Sequence, residues 1–188
     1  MAVLWLCSCS RFLSDEALLR NEYGIPVSAE CIFSKVHPEP TGEWFGREGL
    51  RIHMVFQLNE ADFEKMVSKA RKSGTWRPMP IPRDFLMRMG GIRSSKEGLK
   101  RVYDMTGEDL PEEGSVYNPS EEQRYERFVR TLPLDVAHGL YQCRSAGNDI
   151  MHARKTVHVE LDRDLNDFML AILDLDKERI VIKVGTKY

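Results

Sequence analysis

The 188-residue sequence predicts an α+β fold: a mostly antiparallel sheet of about five to six strands, one main amphipathic helix packed on a face, and an irregular excursion. A strand running directly into an amphipathic helix (49–74) and short C-terminal strands separated by polar turns support this prediction. The hydrophobic share of 42% and the charged share of 30% are ordinary for a soluble globular protein. A chain of this length suits one domain with a sizeable core.

The strand and helix within residues 49–74 are the best-specified part of the chain. Alternate residues of segment 50–58 are apolar, which is the period-two pattern of a half-buried strand. Asn59 is the expected N-cap, and Gly74 is expected to end the helix in the left-handed conformation. The helix carries one apolar stripe, formed by Phe63, Met66, Val67 and Ala70.

The rest of the N-terminal half is less regular. The expected divisions are 1–8 as a candidate truncated signal-peptide remnant, 9–26 as linker and short helix, and 27–188 as a single α+β domain. We expect Ser14 to cap a helix over 15–22 and a strand to follow over 27–36. Segment 87–117 has Gly90-Gly91, scattered charge and no sustained period, which predicts the irregular excursion.

The C-terminal half returns to regular structure. A helix is expected to begin near Asn118-Pro119-Ser120, where either Asn118 or Ser120 is the cap. The segments with strand character are joined by short polar turns, as in an antiparallel meander. They are 140–144, 154–161, 168–173 and 179–184.

Composition and motifs argue against several classes of function. A net charge of -2 gives no electrostatic case for binding nucleic acid, and no apolar run reaches the ~18–20 residues of a membrane span. Phosphate-binding loops, dinucleotide fingerprints and nucleophile elbows are absent. The histidine spacings do not suit a metal site. We therefore expect no nucleic-acid partner, no cofactor and no metal ion, with membrane contact only through a lipid anchor.

Cys143 with His138 or His158 is a weak candidate for a catalytic thiol–imidazole pair. Cys143 lies in a predicted strand without a small-residue turn around it. A buried, inert cysteine is therefore the favoured interpretation.

Arg47, Arg51, His53 and Lys35 are candidate ligand-binding residues. If they share the polar face of the sheet, they can bind an anion. A solvated outer face explains the same residues equally well, so both interpretations stand at this stage.

The N-terminal sequence MAVLWLCSCS contains Leu6-Cys7-Ser8-Cys9, a pattern similar to a bacterial lipobox in which Cys9 receives the lipid. The basic n-region of a complete signal is missing, and the apolar stretch is barely long enough. An ordinary N-terminal strand is the alternative interpretation.

Together, LCSC, the following GIPVSAE, the strand–helix pair LRIHMVFQLNEADFEKMV and the hairpin VHVELDRDLNDFMLAILDLD resemble a class of uncharacterised bacterial lipoproteins. The resemblance covers about half of the chain. It implies a small α+β domain behind a lipid anchor in the cell envelope and a non-enzymatic role, and it supplies no catalytic residues.

Three functional hypotheses follow. The first is an exported or lipid-anchored protein that binds a protein or envelope component and catalyses nothing. The second is a soluble cytoplasmic interaction protein of the inhibitor or immunity type, favoured by four cysteines without a CxxC pair. The third and weakest is a hydrolase that uses Cys143.

Overall fold

The computed structural model describes residues 15–38, 50–146, 150, 157–158 and 164–186. Within these residues the helices are α1 (Asp15–Tyr23), α2 (Glu60–Ser73), α3 (Arg83–Met89), α4 (Ile92–Thr106) and α5 (Glu121–Val129). The strands are β1 (Glu30–Pro38), β2 (Leu50–Gln57), β3 (Arg77–Pro78), β4 (Gly139–Ser145), β5 (Val157–His158), β6 (Asp167–Asp174) and β7 (Arg179–Thr186).

The described strands form one antiparallel sheet. Its order is β1-β2-β7-β6-β4-β3, and β5 also pairs with β4. The N-terminal hairpin β1–β2 and the C-terminal hairpin β6–β7 therefore meet in the middle of the sheet, where β2 pairs with β7. The prediction of an α+β fold built on an antiparallel sheet is confirmed.

The strand and helix predicted over residues 49–74 form as expected. Asn59 caps α2, because its side-chain oxygen accepts a hydrogen bond of 2.9 Å from the backbone N–H of Asp62. Gly74 ends the helix with a φ of 69°, a left-handed conformation that glycine adopts without strain. α1 closely matches the short helix expected over 15–22, whereas its expected cap Ser14 lies outside the described residues.

One side of the sheet packs under α1 and α2, and we call it the α1–α2 face. Alternate side chains of the central strands meet the apolar stripe of α2 and Leu19 and Tyr23 of α1. The buried strand residues on this face are Ile52, Met54, Phe56, Met169, Ala171, Leu173, Ile180, Ile182 and Val184. This cluster is the larger part of the hydrophobic core.

The other side, the α3–α5 face, is covered by α3, by α5 and by the segment that follows α5. The cluster there contains Phe85, Leu86 and Met89 of α3. Phe128 and Val129 of α5 pack against it. The strand residues on this face are Val55, Tyr141, Cys143, Phe168, Leu170, Ile172 and Val181. Helices therefore lie on both faces of the sheet, whereas the sequence predicted one main helix on a single face.

The predicted irregular excursion over 87–117 is corrected by the structure, because residues 92–106 form α4. α4 follows α3 after Gly90 and Gly91, and it buries only Ile92 of its own residues. Its N-terminus has no cap from the adjoining sequence; instead, Asp164 Oδ2 accepts a 2.7 Å hydrogen bond from the backbone N–H of Ser94. The helix was missed because a residue 70 positions away satisfies its first turn.

The remaining expectations have mixed outcomes. Ser120, not Asn118, caps α5 in a reciprocal capping box with Gln123. Of the strand expected over 154–161, the structure describes only Val157 and His158, which pair with β4. Among the described helices, none has both the length and the hydrophobicity needed to cross a bilayer.

Candidate functional site

A cavity of about 300 Å³ lies on the α3–α5 face, where β2, β6 and β7 approach the ends of α3 and α5. Its apolar wall includes Met89, Phe128 and Phe168. Its cationic side chains are Arg51 of β2, Lys183 of β7 and Arg127 in the last turn of α5. The described lining contains no carboxylate.

Two glycines shape the apolar wall. A Cβ at Gly185 would lie 2.6 Å from Cε1 of Phe168, and a Cβ at Gly90 would lie 2.8 Å from Cδ1 of Phe128. These distances are too short for any side chain, so the two rings occupy the space that side chains at these positions would need. The rings pack edge to face, with centroids 5.8 Å apart and an interplanar angle of 87°.

The strand register brings basic residues into adjacent rows on the same face. Lys35, His53 and Lys183 are successive cross-strand partners on β1, β2 and β7. In the next row Arg51 pairs with Gly185. Diagonal neighbours in such a ladder lie about 7–8 Å apart at Cα, so Arg51 and Lys183 are close enough to contact one anion. We call Lys35, Arg51, His53 and Lys183 the basic rows.

The environment of Arg51, His53 and Lys183 disfavours their charged forms. Burial is the main cause that lowers the pKa of Lys183, and the neighbouring cations Arg51 and Lys35 lower it further. Burial also lowers the pKa of Arg51. Among the described residues, the side chains of Lys183 and Arg127 form no hydrogen bond and no salt bridge.

His53 lies between these charges. Its pKa is lowered, first by burial and then by the Lys183 ammonium, while the carboxylate of Asp135 acts in the opposite direction. Its ring is 5.0 Å from the ring of Phe33, and its buried Nε2 has no hydrogen-bond partner among the described residues. A bound anion would relieve the repulsion between these cations and would accept their hydrogen bonds.

The structure thus brings together three of the four residues predicted to bind an anion: Lys35, Arg51 and His53. Arg47 lies outside the described residues. Sequence reasoning missed Lys183, Arg127 and the two phenylalanines. The one available signal was that Lys183 and Gly185 interrupt the apolar middle of β7 and, being two residues apart, fall on a single face.

The candidate nucleophile Cys143 is buried on the α3–α5 face, where its Sγ lies 3.7 Å from the sulfur of Met89. Burial and the nearby Asp167 carboxylate raise its pKa strongly, so the thiol stays protonated, whereas nucleophilic attack requires the thiolate. His138 lies five residues away along β4, about 17 Å, and its exposed side chain contacts Asp176 at 3.1 Å. His158 pairs with Arg144 in the backbone register.

The lipidation candidate Cys9 lies outside the described residues. Within the described part of the chain, no group of three or more His, Cys, Asp or Glu side chains has the arrangement of a metal site. Comparisons with protein-family models, with curated proteins and with solved structures give no match for this chain. The local chemistry of the site is therefore the basis for assigning a function.

Proposed function

We propose that this protein is a non-enzymatic binding protein whose cavity on the α3–α5 face holds an anionic group of its ligand. One observation carries the proposal: cationic side chains from β2, β7 and α5 surround one cavity whose described lining has no carboxylate. Charged side chains with lowered pKa values on a sheet face are costly to keep, and such clusters are typical of functional sites.

The basic residues of the cavity lie on regular secondary-structure elements, so the site is preorganised. Arg51 and Lys183 stand on β2 and β7, which pair over their whole length in the centre of the sheet. Arg127 approaches from α5, which the ion pair between Arg83 and Glu122 joins to α3. Residues held on rigid elements lose little conformational freedom on binding, which favours affinity.

Titration calorimetry with sodium phosphate at constant ionic strength tests the proposal. We expect saturable binding to the wild-type protein and at least a tenfold loss of affinity in Lys183→Gln. The matched control is Lys72→Gln, which removes an exposed lysine from α2 on the opposite face and should leave the affinity unchanged. Absence of saturable binding, or an equal loss in the control, would contradict the proposal.

We further propose that the protein is exported and anchored through Cys9, where it binds a protein or envelope component. The LCSC sequence and the resemblance to bacterial lipoproteins support this location. The full chain, expressed in a bacterium from its natural upstream sequence, should fractionate with membranes and should carry a lipid at Cys9. Cys9→Ser should release it into the soluble fraction. An unmodified wild-type chain that retains residues 1–8 would instead support the cytoplasmic interaction protein.

A further inference from the structure

The cavity is lined by two chemically different sets of side chains, and this says more about the ligand than charge alone. We call Arg51, Lys183 and Arg127 its cationic half, and Met89, Phe128 and Phe168 its apolar half. A bare inorganic anion would contact only the cationic half and would leave the apolar half filled with poorly bonded water. A ligand that matches both halves has an anionic end and an apolar body.

The cationic half suits more than one negative charge. Arg51 and Lys183 come from adjacent strands of the sheet, and Arg127 comes from the helix packed over it. An anionic end between them meets positive charge from two sides. A phosphate monoester carries close to two negative charges at neutral pH and several strong acceptor oxygens, so it can bond to all three cations. A carboxylate carries one charge and two oxygens, and it uses this half less completely.

The apolar half suits a flat body of the size of one ring. The rings of Phe128 and Phe168 stand nearly perpendicular to each other, with the edge of one against the face of the other. A ligand ring can stack on the face or meet the edge, and both arrangements are favourable for aromatic pairs. A volume of about 300 Å³ is at the lower end of small-molecule pockets, which span about 300–1,000 Å³.

Resting on the proposed anion-binding function, we propose that the cavity binds a small organic phosphate monoester whose ring-sized apolar body lies against Phe128 and Phe168. Thr131 and Asn166 also line the cavity. They supply uncharged hydrogen-bonding groups for polar substituents on the body.

Four probes separate the parts of this proposal on the wild-type protein, so the comparison does not depend on the folding of any variant. They are phenyl phosphate, inorganic phosphate, benzoate and benzyl alcohol, each titrated by calorimetry at constant ionic strength. Phenyl phosphate should bind at least tenfold more tightly than inorganic phosphate and at least tenfold more tightly than benzoate. Benzyl alcohol should show no measurable binding.

Two variants then assign each half of the ligand to its half of the cavity. Phe128→Leu should weaken phenyl phosphate binding at least fivefold and change inorganic phosphate binding less than twofold. Lys183→Gln should weaken both by a similar factor, and Lys72→Gln should weaken neither. Melting temperatures measured without ligand establish that each variant is folded.

The outcomes distinguish this inference from the proposed function. Equal affinities for phenyl phosphate and inorganic phosphate would overturn the apolar body and leave anion binding intact. Equal affinities for phenyl phosphate and benzoate would overturn the phosphate monoester. If neither phosphate binds, the inference and the proposed function both fail.

Discussion

On the α1–α2 face, the middle of β2 and β7 presents Ile52, Met54, Ile182 and Val184, all buried beneath helices. On the α3–α5 face, the alternate residues of the same two stretches are Arg51, His53, Lys183 and Gly185. The helices of that second face cover β4, β6 and the ends of β2 and β7 that carry Val55 and Val181, and they leave open the cavity that Arg51 and Lys183 line. One pair of strands therefore combines a sealed apolar surface with a charged, partly open one.

The difference is the basis for assigning stability to one face and the proposed binding to the other. Apolar burial on the α1–α2 face contributes about 25 cal/mol for each Å² removed from water. His53 and Lys183 work against folding, because burial and the neighbouring cations disfavour their charged forms. Residues that break local folding rules are expected at functional or strained sites. The comparison leads to predictions that separate stability from binding.

The largest effect is expected on the α1–α2 face. Phe56 is 0% exposed and has the Arg20 guanidinium 4.6 Å from its ring centroid. Phe56→Ala should lower the free energy of unfolding by about 3–5 kcal/mol, because it removes a buried ring and leaves a cavity. Urea denaturation measures this loss. A loss below about 1 kcal/mol would show that this face is not the main core, since even small core truncations cost that much.

The next largest loss of stability is expected from removing a helix cap. α2 is capped by an adjacent residue, whereas α4 is capped by a residue distant in the sequence. Asp164→Ala, at α4, and Asn59→Ala, at α2, should each cost about 0.5–2 kcal/mol, because each leaves helix N–H groups without an acceptor. Hydrogen exchange should accelerate in the first turn of α4 for the first variant and in the first turn of α2 for the second. If Asp164→Ala left exchange in α4 unchanged, the remote cap would not matter to that helix.

These two caps also show how much of the fold the sequence could predict. α2 was predictable because its cap, its apolar stripe and its terminal glycine all lie within one continuous segment. α4 was not, because its cap comes from Asp164 and its packing surface comes from α3 and α5. The hairpin of β6 and β7 was predictable, because two segments with strand character are joined by a short polar turn. The expected meander does not form in full, since β4 pairs directly with β6 and the described part of β5 pairs with β4. The helical cover on the second face required knowledge of contacts between distant segments.

A smaller effect, of opposite sign, is expected at the basic rows. Lys183→Met should raise the free energy of unfolding by about 0.5–2 kcal/mol, because it replaces a desolvated ammonium by an apolar chain of similar length. The same variant should lose the phosphate binding expected of the wild type. Lys72→Met, at an exposed position of α2, should change stability by less than about 0.5 kcal/mol. Destabilisation by Lys183→Met would mean that this lysine supports the fold.

Only part of the candidate site could be predicted from the sequence, because the rest of it also depends on contacts between distant segments. Arg51, His53 and Lys35 could be grouped because alternation along a strand fixes which residues share a face. Lys183 joins them through the pairing of β2 with β7, which lie about 130 residues apart in the sequence, and Arg127 joins through the docking of α5. No local pattern encodes either contact. Likewise, the burial of Cys143 depends on α3 lying over β4.

The smallest expected effect is a pH dependence that arises from His53. Its pKa in the folded protein is lowered from 6.5, so the unfolded chain binds the proton more readily than the folded chain. Stability should therefore decrease as the pH falls through about 6.5, and it should level off below the lowered pKa, where both states are protonated. His53→Gln should remove this component of the pH dependence. The difference between the urea unfolding curves of the two proteins, followed across this pH range, measures it.

A bound anion beside His53 should counteract that dependence. Sulfate stays a dianion across this range, and beside the basic rows it would favour the imidazolium form of His53 over the neutral ring. Its affinity should therefore rise as the pH falls from 7.5 to 5.5 in the wild type, and the rise should be smaller in His53→Gln. Sulfate also stabilises proteins without binding to a site, so this difference between the two proteins is the quantity to compare. Equal pH dependence in both would place the bound anion away from His53 and would confine the site to Arg51, Lys183 and Arg127.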